Sequence, residues 1–292
     1  VYGKGRTRRP WSRERIETTV LRWLHVAGLA SLVVVVGFPF YWMVLSSLKP
    51  LQEILLKPAS LWPDPSRLRW DAYVEVLTEH GFIRYIVNSL YVALATAAIA
   101  VSLASIGAYA ATRLTFQGKK AMSAGILAIY MLPAIVLVIP LYVLLSRLGL
   151  RDSLHVLIPV YLAQTLPVAL YMLRSHFLSL PPSLEQAGMV DGCTRWGVIW
   201  RIVLPLSTPT LASAALYTFM IAWNEFLFAF MFLDTPEKFT LTRGVVQLAG
   251  SVHLSKQLVM AASVLVSVPV IILFLALERY LVRGLTAGAV KG

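Results

Sequence analysis

Apolar residues in this chain come in blocks too long and too continuous for the core of a soluble domain. Six segments, free or nearly free of formal charge, reach the roughly 20 residues that a bilayer-crossing helix requires. They run from about Trp23 to Leu48, Tyr85 to Thr112, Ala121 to Ser146, Ser153 to Leu173, Pro205 to Leu233 and Gln257 to Leu277. The first follows a basic head, as a signal peptide would. Its apolar run exceeds the roughly 7–15 residues of such a region and no small-residue cleavage site follows, so the pattern predicts a retained span. The predicted fold class is an all-α membrane protein of six transmembrane helices, with a basic tail over residues 1–22 and a transmembrane domain over 23–292.

Two polar connections stand out. Residues 49–84 form a loop of 36 residues, longer than ordinary connections. Pro50, Pro58, Pro63 and Pro65 predict irregular chain at its start, and Trp62 and Trp70 suit a membrane interface. Trp70 to Leu77 predicts a short amphipathic helix lying on that interface. A solvated connector and a platform for an external partner both fit this composition. The second connection, residues 174–204, reads as two short helices around a sharp turn. Pro181 and Pro182 suit a first turn, and Ser183 with Gln186 matches a capping box. Gly192 suits a positive-φ helix end, and Thr194 suits the cap of the next helix. Trp196, Ile199, Trp200 and Val203 follow the spacing of one apolar face, and Pro205 opens the fifth span.

Charge then orients the spans. The tail, the 113–120 turn, the 174–204 connection and the C-terminus hold 16 Lys and Arg residues against 5 acids; the opposite side holds 10 against 8. Basic excess marks the cytoplasm, so both termini are expected inside. The formal net charge of +12 has the same origin: the basic residues flank apolar blocks and form no aromatic-interleaved stripe, so no nucleic-acid partner is implied. A hydrophobic content of 58% with 14% charged residues, and a mean hydropathy of +0.72, fit the same class. The single cysteine, Cys193, cannot form an internal disulfide.

The pattern Gln186-Ala187-Gly188-x-x-Asp191-Gly192, followed by Leu204-Pro205, resembles the EAA loop of permease subunits in ATP-binding-cassette (ABC) importers. Gln186 stands where glutamate is usual in that loop and Gly188 where alanine is usual, while Glu185 keeps a carboxylate one residue earlier. Ser46-Ser-Leu-Lys-Pro50, Asn88-Ser-Leu-Tyr-Val-Ala93, Trp223-Asn-Glu-Phe226 and the terminal Gly284-Leu-Thr-Ala-Gly288 are similar to the carbohydrate-importer group, in particular its maltose/trehalose-type second permease subunit. The resemblance implies the type I (MetI-like) permease fold in a bacterial or archaeal cell membrane. It implies ATPase-coupling residues at Ser183, Glu185, Gln186, Ala187, Gly188, Asp191 and Gly192, with the main contact left to Glu185 or Gln186. It also implies partners: a second permease subunit in a heterodimer, two ATPase subunits that bind ATP and Mg, and an extracytoplasmic sugar-binding protein. No cofactor is expected on this chain itself. The implied cargo is an uncharged sugar, with di- or oligosaccharides such as maltose or trehalose ahead of glycerol-3-phosphate or another small polar solute.

Polar residues inside spans are candidates for the substrate path. Glu225 is the one formal charge well inside a span, where an isolated carboxylate costs about 2.5–3.5 kcal/mol at the bilayer centre. It is expected to face a wet cavity or a partner, with Asn224 beside it; a structural hydrogen bond is the competing reading, and Trp223, Phe226 and Phe219 are candidates to stack on a sugar, with simple packing as their alternative. Asn88, His155 and Gln164 are weaker candidates of the same kind. An intramembrane transferase is the alternative class. The five histidines are scattered without a His-Glu-x-x-His pattern, there is no Cys-x-x-Cys, and neither Gly-Lys pair lies in a phosphate-binding loop. The residues therefore point to a transport subunit without catalysis of its own.

Overall fold

The computed structural model describes residues 13–50, 53–54, 61–62, 64–130, 133–251 and 256–289. The basic residues from Lys4 to Arg9, Pro58 and Pro63 of the outer loop, and Lys291 lie outside them. Helices account for all regular structure among the described residues. In chain order they are α1 (Arg13–Leu48), α2 (Asp71–Thr78), α3 (Phe82–Arg113), α4 (Lys119–Tyr130), α5 (Ala134–Arg147), α6 (Leu154–Ser179), α7 (Pro182–Val190), α8 (Arg195–Leu206), α9 (Thr208–Asn224), α10 (Leu227–Phe232), α11 (Leu241–Ala249) and α12 (Lys256–Ala289).

Four of these, α1, α3, α6 and α12, are long and apolar enough to cross a bilayer as single helices, matching the first, second, fourth and sixth expected spans. Helix α1 begins within the basic tail, ten residues before the expected start at Trp23. The other two expected spans are corrected. The third is two helices, α4 and α5, with Pro133 at the N-cap of α5 in extended conformation (ψ 126°), where its missing N–H costs nothing. At 14 residues α5 is only about 21 Å long, short of the hydrocarbon thickness. The fifth does not open at Pro205: α8 and α9 meet at Ser207 with an 80° bend, so Pro205 belongs to the preceding helix. Pro209 cannot donate to the carbonyl of Pro205, and the Thr208 hydroxyl fills that acceptor at 2.8 Å.

Helix α3 is the axis of the bundle. Its face Ala93, Ala97, Ala100, Ala104, Ala108 and Ala111 is buried, and such small side chains let neighbouring backbones close in. A Cβ on Gly107 would meet Leu170 of α6 at 3.0 Å, the measure of how tightly the two helices sit. Two apolar clusters flank this seam. One joins Phe82, Val92, Tyr161, Trp223, Phe228 and Leu241; the other joins Tyr109, Leu173, Phe177, Val198 and Val203. The predicted interfacial helix is α2, which buries Ala72 and Val76 while Trp70 stays exposed.

Two clusters of charged groups tie elements together at the two ends of the bundle. Arg113, Glu185 and the α6 terminus meet at one end. At the other, Asp152 clasps the 234–238 turn. Its carboxylate accepts the backbone N–H of Asp234 (2.9 Å) and Thr235 (3.0 Å), the Thr235 hydroxyl and the Lys238 ammonium (2.8 Å), and its own N–H donates to the Phe232 carbonyl (2.8 Å). Asp152 holds a left-handed backbone (φ 56°), which Asp tolerates better than most residues. Burial alone would raise this carboxyl, but the bonds from Lys238, Thr235 and Asp234 outweigh it and hold it well below the usual carboxylate range.

A depressed carboxyl contributes stability that is complete above its unfolded pKa, near 3.8, and is lost as pH falls from there toward the folded value. Asp152→Asn is therefore expected to melt lower than the parent by a constant margin between pH 8 and pH 5, about 1.5–3 kcal/mol for a charge-assisted set of bonds. The margin should shrink below pH 4. Thermal melts of both proteins in detergent across this range check it.

Candidate functional site

The 174–204 connection is built around one short helix. Helix α7 starts at Pro182 with Pro181 as its N-cap, so the expected capping box of Ser183 and Gln186 is not formed: Ser183 lies inside the helix and no side chain caps the start. The two prolines supply the helical φ and lack the N–H groups that a cap would serve. The helix stops as anticipated. Gly192 adopts φ 89°, its N–H bonds the Met189 carbonyl (3.1 Å), and the Cys193 N–H reaches back to Gly188 (2.9 Å), closing a Schellman turn. Thr194 caps α8 by accepting the Gly197 N–H.

Helix α8 widens into a π turn over Ile199–Val203, where the Leu204 N–H bonds the Ile199 carbonyl. This alters the expected single apolar face. Val198, Ile199 and Val203 pack inward against α3 and α6, whereas Trp196 and Trp200 face out. With Leu184, Met189 and Val190 (87% exposed), the two tryptophans make an apolar surface around the α7–α8 turn, edged by exposed Gln186, Asp191, Arg195 and Arg201. Gly188 is buried against α8, and a Cβ there would meet the Ile202 Cδ1 at 2.4 Å, so any larger residue would have to displace the end of that side chain.

Of the candidate coupling residues, Ser183, Gln186, Ala187, Asp191 and Gly192 are exposed, and Gly188 and Glu185 are not. Glu185 is 6% exposed. One carboxylate oxygen accepts the Arg113 Nε at 2.6 Å and the other the Tyr109 hydroxyl at 3.1 Å. The second Arg113 nitrogen bonds the Leu180 carbonyl at 2.9 Å. Arg113 and Tyr109 were not singled out in the sequence. Arg113 showed only as a charge at a span end, and Tyr109 carried no signal.

The Trp223–Phe226 group lies where the fifth span breaks. Helix α9 ends at Asn224, Glu225 is extended (ψ 129°), and α10 starts at Leu227. The Glu225 carboxylate accepts the Tyr161 hydroxyl (2.6 Å) and the N–H groups of Phe228 (2.9 Å) and Ala229 (3.3 Å) at the start of α10. At the far end of α10, Arg243 donates to the carbonyls of Ala229 and Phe230 and lies over the Phe239 ring at 4.0 Å. A six-residue helix thus carries an acid at its positive end and a base at its negative end. Trp223 is 1% exposed; it stacks on Phe219 and donates to the Val266 carbonyl of α12 at 3.0 Å. Phe226 packs on Phe230, and Asn224 is exposed.

The weaker candidates are dispersed. Asn88 donates twice to the 237–239 backbone, His155 lies edge-on to Tyr91, and Gln164 is on α6 with a buried amide nitrogen that has no partner among the described residues. No group of three or more potential metal ligands occurs among the described residues.

Residues 104–287 match the family described as the binding-protein-dependent transport system inner membrane component. The chain is 38% identical over 268 residues to the inner membrane ABC transporter permease protein YcjP of Escherichia coli strain K12, covering 91% of this chain and 95% of that one. It is 35% identical to the trehalose/maltose transport system permease protein MalG of Thermococcus litoralis, covering 94% and 99%. Among solved structures, a bacterial ABC transporter that imports the acidic polysaccharide alginate shares the fold, with TM-score 0.75 at 20% identity over 94% of this chain and 99% of that one.

Every donor at Glu225 meets a carboxylate oxygen, which defines an expectation for two substitutions. Glutamine can still accept the Phe228 N–H while the Tyr161 hydroxyl turns to accept from the amide, which leaves only the long Ala229 N–H bond (3.3 Å) without its acceptor, so Glu225→Gln should keep most of the normal membrane abundance. Glu225→Ala strands the hydroxyl and two N–H groups and should cost about 1–3 kcal/mol per group left bare, with abundance falling accordingly. Quantitative immunoblots of membranes, with uptake measured alongside, separate this capping role from direct contact with cargo. Normal abundance of the glutamine variant with lost uptake would assign Glu225 to the cargo.

Proposed function

The chain belongs to the family of binding-protein-dependent transport system inner membrane components, and from that premise we propose that its cargo is an uncharged di- or oligosaccharide. It is a membrane-spanning permease subunit of an ATP-driven importer and not an enzyme. Sugar as cargo is supported by the trehalose/maltose relative, which is matched over nearly its full length. It is also supported by the absence of Lys and Arg from the apolar body of each expected span, where a phosphorylated cargo would want a cation.

The observation that carries the mechanical reading is the exposed apolar surface around the α7–α8 turn at the basic end of the bundle. This surface receives a partner ATPase, with Gln186, Asp191, Trp196 and Trp200 at the contact. A second permease subunit completes the pathway, two ATPase subunits bind ATP and Mg, and a sugar-binding protein delivers cargo at the opposite end. ATP binding draws the ATPases together, α7 moves with its ATPase, and the spans pass from inside-open to outside-open. ATP drives this only through its higher affinity for the closed ATPase pair, since a ligand shifts an equilibrium by its differential affinity alone. Asn224 and Phe226, at the break in the fifth span, line the cargo path.

Reconstituted with its ATPases and binding protein, the subunit is expected to support ATP hydrolysis that rises when the binding protein carries sugar; no difference between loaded and empty binding protein would sink the reading. A Cβ at Gly192 would meet open space, so Gly192→Val acts through backbone strain alone. About 1–2 kcal/mol for a left-handed L-residue, with more for a β-branched one, should lower uptake about tenfold at unchanged membrane abundance. Uptake assays with matched immunoblots decide it.

A further inference from the structure

Force applied to the exposed face of α7 has to enter the bundle. Two routes follow the chain itself, into α6 and into α8. The third is a side-chain joint. In α7 the buried residues are Glu185 and Gly188, and only Glu185 reaches another helix by polar contacts. Both carboxylate oxygens are engaged on α3, and Arg113 binds in the same fork to the carbonyl of Leu180, the C-cap of α6. The side chains of Arg113 and Glu185 are 15% and 8% exposed, so solvent screens the pair little. Breaking one partner of such a pair leaves an uncompensated buried charge, which makes the joint stiff.

What the joint grips is also stiff. Among the long described helices, α1, α6 and α12 contain internal prolines, at Pro39, at Pro159 and Pro167, and at Pro269; the 32-residue α3 contains none. Prolines are the usual kink points of long helices. The opposite end of α3 is anchored in turn: Asn88 donates to the carbonyls of Glu237 and Phe239, each at 3.0 Å, and the Ser89 hydroxyl accepts the Leu241 N–H at 2.7 Å. From Asn88 to Arg113 is 25 residues of one helix, about 37 Å at 1.5 Å per residue, enough to cross the hydrocarbon layer.

We propose that Arg113, Glu185 and Tyr109 form the joint through which α7 moves α3, and that α3 is the rod carrying this motion to the outer turn 236–241 through Asn88 and Ser89. This rests on the reading of α7 as the ATPase contact. Arg113 and Asn88 are positioning residues: neither need touch cargo or nucleotide. Glu185 consequently faces its own subunit, and the exposed Gln186 is left as the residue of that pair for the ATPase.

The test uses the whole importer in proteoliposomes, with its ATPases and binding protein, and reads three quantities: ATPase retained on the purified permease, ATP hydrolysed, and sugar taken up per ATP. Arg113→Gln and, at the other end of the rod, Asn88→Ala should each retain the ATPase while uptake per ATP falls at least fivefold. The double variant should be no worse than the poorer single one within twofold, because two cuts in one rod interrupt the same transmission. Multiplying losses in the double variant, or uptake per ATP unchanged in either single one, would overturn the rod. Should Arg113→Gln fail to assemble, Tyr109→Phe leaves the ion pair in place and should give a smaller loss, about twofold, in the same ratio; no change would overturn the joint. A parent importer whose α7 can be replaced without losing ATPase would instead defeat the underlying reading of the loop.

Discussion

The close seating of α3 against α6 and α9 is the constraint from which the remaining structure follows. In lipid no water competes for apolar surface, so helices associate through packing and polar contacts rather than through hydrophobic expulsion. The alanine face of α3 provides that packing, and Gly107 admits the Leu170 side chain of α6. Once α3 is placed, its two ends are fixed relative to each other. Tyr109 and Arg113 fall beside the start of α7, and Asn88 and Ser89 fall beside the 236–241 turn. Both ends of the bundle are thus tied to one helix.

The hydrocarbon layer imposes a second demand: every interrupted backbone bond must find an internal partner. The fifth span is interrupted twice and meets the demand by different means. At Ser207 the hydroxyls of Ser207 and Thr208 take the carbonyls of Val203 and Pro205. At Glu225 a carboxylate serves two N–H groups and a tyrosine hydroxyl, while Arg243 serves the carbonyls at the other end of the short helix. A charge that would be costly alone in the membrane becomes the device that permits a break. The exposed Asn224 lies at that break, as the last residue of α9.

The connection at the inner end divides its residues by face. Gly188, Val198, Ile199 and Val203 pack inward, and Glu185 is tied to α3; Gln186, Asp191, Trp196 and Trp200 stay exposed. The division ties the connection to the bundle through one face and leaves the other exposed. The Schellman turn at Gly192 lets the chain reverse between α7 and α8 within a few residues.

Much of this was legible in the chain. Four apolar helices of spanning length, the short helix α2, the stop at Gly192 and the cap at Thr194 depend on apolar length or local backbone preference, which a short window of residues contains. The family, too, was readable from the loop pattern, and the match over residues 104–287 agrees with it. What the tertiary structure alone decided are the directions and partners of side chains. Glu185 turns inward because Arg113 and Tyr109, 72 and 76 residues away, arrive beside it. Glu225 becomes a cap because Tyr161, 64 residues away, and its own broken helix supply the donors. The splitting of the third and fifth spans was likewise hidden, since hydropathy measures how apolar a segment is and says nothing of its bends. Composition tells a residue which solvent it prefers; only packing tells it which neighbour it meets.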